Sequence, residues 1–142
     1  MGPINWLAVI LSANLAFAVG LVWYGPLFGG ADLFGRVSGR DGASGDAGKG
    51  TGVLTGIGGA VLLQALSALM LGHNFARLGA DKLAAKPWLY WMQSGGIALA
   101  FVIPAVWLAQ ARQGADNRQR LIDGGYWLVA YLAMGATFWA LR

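Results

Sequence analysis

Charged residues leave the chain in blocks: none falls in 4–24, 51–72, 88–110 or 124–141. Each block has about the 17–25 residues that a helix, rising about 1.5 Å per residue, needs to cross roughly 30 Å of hydrocarbon. The pattern predicts an all-α integral membrane four-helix bundle, with helices at about 4–24, 51–72, 88–110 and 122–141 in one transmembrane domain spanning 1–142. Between the first two helices, 35–50 is dominated by Gly, Ser, Asp and basic residues and reads as a flexible loop. Leu27, Phe28, Leu33 and Phe34, too few to span, lie along the interface.

Aromatic placement separates this reading from that of buried helices in a large soluble protein. Trp6, Trp23 with Tyr24, Trp88 with Tyr90 and Trp91, Trp107, Tyr126 with Trp127, and Trp139 fall near block ends. That is the aromatic belt of the two membrane interfaces. The run Trp23-Tyr24-Gly25-Pro26 combines such an anchor with a predicted helix stop. The first block is not a signal peptide: Ala16-Phe17-Ala18 has the small-x-small form, but Met1-Gly2-Pro3 carries no basic side chain. The first helix is expected to stay in the mature protein.

Composition agrees, with 57% hydrophobic and 11% charged residues and a mean hydropathy of +0.56, where a soluble domain carries about 25% charge. The net charge of +4 comes from residues beside the spans, so membrane lipids with anionic headgroups are the expected partners and nucleic acid is not. Arg36, Arg40, Lys49, Arg112, Arg118 and Arg120 outnumber Arg77, Lys82, Lys86 and Arg142, which puts the first and third loops inside and both termini outside.

Lipid gives no hydrophobic reward for helix association, so small residues and a few hydrogen bonds must hold the bundle. Ala8, Ser12, Ala16 and Gly20 recur every four residues on the first helix, with Gly56 on the second and Gly96 on the third as further close-approach positions. Such stripes serve packing within the chain, or a homo-oligomer or larger membrane complex. Asn14, Gln64 and Gln93 sit roughly 15, 12 and 8 Å from the side of the termini. They form either a small polar pocket or interhelical hydrogen-bond glue. Pro104 is expected to kink the third helix toward Trp107.

Catalytic chemistry finds little to work with. There is no Cys or Glu, one His, and six Asp that all fall in predicted loops or at helix ends. No catalytic residue, no metal site and no cofactor is expected, and His73 beside Asn74 reads as a residue at the end of the second helix. Gly48-Lys49-Gly50-Thr51 is not a phosphate loop, because no glycine stands five residues before Gly48 and no strand precedes it. Asp123 precedes the fourth helix, where it either caps the N-terminus or pairs with Arg118 or Arg120. In the second case Trp23, Tyr24, Trp107, Asp123, Tyr126 and Trp127 form an interfacial site.

Three stretches, Asn5-Trp6-Leu7-Ala8-Val9, Trp23-Tyr24-Gly25-Pro26-Leu27-Phe28-Gly29, and Ile122-Asp123-Gly124-Gly125-Tyr126 with Met134-Gly135-Ala136, resemble the bacterial family called domain of unknown function 1761. The resemblance implies a four-helix protein of the bacterial inner membrane, without an established activity, and the charge bias then makes both termini periplasmic. Leu15-Ala16-Phe17 with Val22-Trp23 is echoed by Leu99-Ala100-Phe101 with Val106-Trp107, the pattern two duplicated helix pairs would leave. The function expected from the residues is that of a structural or accessory, self-associating membrane component. The alternative is a binder or passive conduit for a small uncharged or lipophilic molecule. A membrane enzyme is disfavoured by the missing catalytic groups.

Overall fold

The structure is a computed structural model that describes residues 2–28 and 49–142, with side chains of the second helix described from residue 58 onward. The described residues are helical, without strands: α1 (Trp6–Val22), α2 (Lys49–Leu78), α3 (Ala80–Ala85), α4 (Leu89–Ile97), α5 (Ile103–Arg112) and α6 (Asn117–Ala140). Of the loop predicted at 35–50, all but Lys49 and Gly50 lies outside the described residues, as do Leu33 and Phe34.

Asn5 starts α1 by accepting a hydrogen bond from the Ala8 N–H at 3.0 Å, which satisfies one of the donors a helix start leaves unpaired. At the other end Gly25-Pro26 does not stop the helix. Trp23–Leu27 form a π turn around Pro26, in which the Phe28 N–H reaches back to the Trp23 carbonyl. The wider turn absorbs the ring and missing N–H that Pro26 would bring to an α-helix. A second π turn, Ala98–Val102, joins α4 to α5 just before Pro104. The expected kink therefore takes the form of a π turn, with Pro104 in the first turn of α5.

Two element boundaries differ from those expected. α2 runs past His73 and Asn74 to Leu78 and stops at Gly79, whose φ of +84° lies in the left-handed region that favours glycine. His73 is therefore an exposed residue inside a helix. α6 begins at Asn117, capped by Asp116, whose carboxylate accepts from the Gln119 N–H at 2.7 Å. Asp123 is thus no cap, since it lies two turns into the helix.

Among the described residues, three helical stretches are long and apolar enough to cross a membrane: Trp6–Leu27, Gly58–Leu78 and Leu89–Arg112. α6 falls short of the same hydropathy because it is rich in Gly, Tyr and Trp, of which Gly124, Tyr126, Tyr131 and Gly135 are buried. It is the central helix, packing against α1, α4 and α5. The outward faces of the others are apolar, as at Leu62 and Phe101, 70% and 71% exposed.

Close approach of backbones positions everything else. Ala8, Ser12 and Ala16 on α1 are fully buried, and Gly20 completes the stripe, since a Cβ there would lie 3.2 Å from the Tyr126 ring. On α6, a Cβ at Gly135 would lie 2.9 Å from the Tyr90 carbonyl. On α4 the close contact is made by Gly95, where a Cβ would lie 3.1 Å from Leu132, whereas the expected Gly96 faces open space. The surroundings of Gly56 lie outside the described side chains. The echoed segments occupy unlike places: Ala16 is fully buried and its counterpart Ala100 is exposed.

Candidate functional site

The two stretches Trp23-Tyr24-Gly25-Pro26 and Ile122-Asp123-Gly124-Gly125-Tyr126, far apart in sequence, meet at the end of the molecule away from the termini. The Trp23 indole N–H donates to the Ile122 carbonyl at 3.0 Å. Its ring lies over Gly125, where a Cβ would stand 2.9 Å from Trp23 Cζ2. Glycine is required there because the indole occupies the space any side chain would need. Trp23 is therefore tied to α6 as well as sitting at a helix end.

This docking encloses Asp123, 8% exposed. Gln110 of α5 donates to its Oδ2, and Gln119, one turn earlier on α6, reaches both carboxylate oxygens at 3.1 Å. The Tyr24 phenol faces the same carboxylate. Arg120 turns away: its guanidinium donates to the Ala115 carbonyl at 2.7 Å and lies 5.7 Å from the centre of the Trp107 ring. Among the described residues, then, the acid is held by neutral donors and not by an ion pair. An ionisable group enclosed in a membrane protein is costly to keep, and for that reason marks sites of binding or transport.

From Asp123 the polar groups continue inward. The Tyr24 and Tyr126 rings are 5.1 Å apart, and the Tyr126 hydroxyl accepts from Gln64 Nε2 at 2.6 Å and donates to the Ala16 carbonyl at 3.4 Å. Gln64 is 4% exposed. Among the described residues, three buried polar atoms at this end find no partner: Gln64 Oε1, Gln110 Oε1 and Arg120 Nε. Two are acceptors and one is a donor.

The interfacial set expected from sequence is partly assembled. Trp23, Tyr24, Asp123 and Tyr126 converge, Trp127 stacks on the outer side of Tyr126 with ring centres 5.2 Å apart, and Trp107 supports Arg120. The polar pocket expected from Asn14, Gln64 and Gln93 is not assembled. Asn14 is exposed and donates to the Ile10 carbonyl of its own helix at 2.8 Å; Gln64 pairs with Tyr126; Gln93 faces Asn74 and Arg77 near the other end. Depth alone put them together, and their helix faces keep them apart. Gln110 and Gln119 were missed because they fall at the edges of the predicted spans. The Asp116-x-x-Gln119 pattern, a capping signature, marks the true start of α6. No group of three His, Cys, Asp or Glu able to hold a metal occurs among the described residues.

The opposite end is built differently. Asn5 Nδ2 donates to the Leu141 carbonyl at 2.7 Å and the Gly2 N–H to the Ala76 carbonyl at 3.1 Å, which binds both ends of the chain to one another and to α2. Beside them lies a largely apolar cleft of about 500 Å³, walled by Phe75, Leu83, Tyr90 and Phe138.

Residues 7–139 match the model of a family described as protein of unknown function (DUF1761). The chain belongs to that family. No curated protein and no solved structure matches it.

Proposed function

We propose that this DUF1761 member is a four-helix protein of the bacterial inner membrane that binds a small, uncharged, hydrogen-bonding molecule at the Asp123 centre. In this reading α1, α2, the α4–α5 unit and α6 all cross the bilayer, and the ligand enters from the end opposite the termini. One observation carries it: among the described residues the enclosed carboxylate has no cation beside it, and Gln110 Oε1 and Arg120 Nε stand buried without a partner. Buried polar groups are ordinarily satisfied, and a free acceptor together with a free donor suits a molecule that both donates and accepts. A purely structural or self-associating role has less to stand on, because the small residues of α1 that would serve a partner are consumed within the chain: Ala8, Ser12 and Ala16 are fully buried.

The test is to purify wild type, Asp123→Asn, Gln110→Leu and Asn14→Leu in detergent, extract each, and compare small molecules by mass spectrometry. The wild type and Asn14→Leu are expected to carry a species that the other two lose while keeping their helical circular dichroism. Equal recovery from all four would overturn the assignment.

A further inference from the structure

At the end that carries the termini, a second cleft of about 370 Å³ opens between α2 and α4, lined by Asn74, Arg77, Leu78 and Gln93. Asn74 and Arg77 stand three residues apart on α2 and so share a face, while Gln93 comes from α4. Among the described residues no hydrogen bond engages any of the three side chains. A guanidinium fork and two carboxamides line one cleft, a set of donors that matches the oxygens of a phosphate. The cleft lies at headgroup depth, since the apolar stretch of α2 ends at Leu78 and the exposed Trp88 and Trp91 stand at the start of α4. Following the Asn74 face one and two turns deeper leads to Met70 and Leu66, each 56% exposed, so an apolar track continues the polar cleft into the bilayer.

We infer that this cleft binds the phosphate of an anionic phospholipid, with an acyl chain lying along Met70 and Leu66. A soluble phosphate has no use for that track, and a zwitterionic lipid offers Arg77 a headgroup already neutralised by its own ammonium.

The experiment measures retention of phosphatidylglycerol against phosphatidylcholine on the intact protein in mixed micelles by native mass spectrometry, with inorganic phosphate as competitor. Wild type is expected to prefer phosphatidylglycerol. Arg77→Gln should weaken that preference about fivefold, the effect of one cation near a charged surface. Gln93→Leu changes no charge, yet should weaken retention of phosphatidylglycerol itself about tenfold through loss of a hydrogen bond to the phosphate. Asn14→Leu, on the far face of α1, should leave it unchanged. Unaltered phosphatidylglycerol retention in Gln93→Leu, with fold checked by circular dichroism, would reduce the effect to surface charge and overturn the site. Displacement of the lipid by inorganic phosphate at equal concentration would overturn the lipid as its occupant.

Discussion

The two ends of the molecule handle polarity in opposite ways. At the end formed by the first π turn and the start of α6, polar side chains are drawn inward: Asp123, Gln110, Gln64 and Tyr126 are enclosed, and some of their atoms stay unpaired. At the end that carries the termini, the tying bonds end on main-chain carbonyls, from the Asn5 side chain to Leu141 and from the Gly2 N–H to Ala76, and the cleft beside them is mainly apolar. The second arrangement serves cohesion, because its tying bonds fasten both chain ends, while the donors of Asn74, Arg77 and Gln93 stand apart in their own cleft. The first gives up cohesion and keeps hydrogen-bonding capacity inside a membrane protein, where water offers no easy substitute.

Substitutions can break this contrast or sharpen it. Gly135→Ala drives a methyl onto the Tyr90 backbone and should cost about 3 kcal/mol, overpacking that a rigid main chain cannot relieve. Gly96→Ala, in open space one helix away, should be neutral, and thermal melts in detergent read the difference. Tyr126→Phe leaves Gln64 without its described partner and should cost about 2 kcal/mol. Tyr131→Phe, which loses only a 3.2 Å contact with the half-buried Ser67, should cost less than half as much. If those two costs were equal, the inward-facing polar end would be no more strained than the rest. Asn5→Ala removes a cap and the tie to Leu141 at once, for about 1 kcal/mol, with faster hydrogen exchange in the first turn of α1. Asn14→Leu should lie within about 0.5 kcal/mol of wild type, because its amide serves only its own helix.

Much of the scaffold was legible in the sequence, and much less of the site. Spacing of four exposes the Ala8-Ser12-Ala16-Gly20 stripe directly, since these positions stack on one face. Asn14 was misplaced by using depth without angle: two residues from Ser12 is about 200° around a helix, which turns it away from the packed stripe. Asp123 was misread because a run with several charges resembles a loop, and only the Asp116 cap two turns earlier shows otherwise. Gly72-His73-Asn74 looks like a helix end by composition, but Gly72 is needed for close packing, where a Cβ would meet Val9 and Phe138 at 3.0 and 3.2 Å. Gly79 supplies the stop. The meeting of Trp23 with Gly125 has no local signal at all, because it depends on which helices become neighbours.

That meeting has a consequence for how the chain is made. α1 is synthesised well before α6, one of the two helices it packs against. Until α6 is made, the face of α1 that packs on it has no cover from that helix. Its composition suits the delay: alanines lose little by facing lipid, Ser12 satisfies its hydroxyl on the Val9 carbonyl of its own helix, and Asn14 does the same on Ile10. The indole of Trp23 is the group left waiting, and the arrival of Ile122 and Gly125 closes the protein.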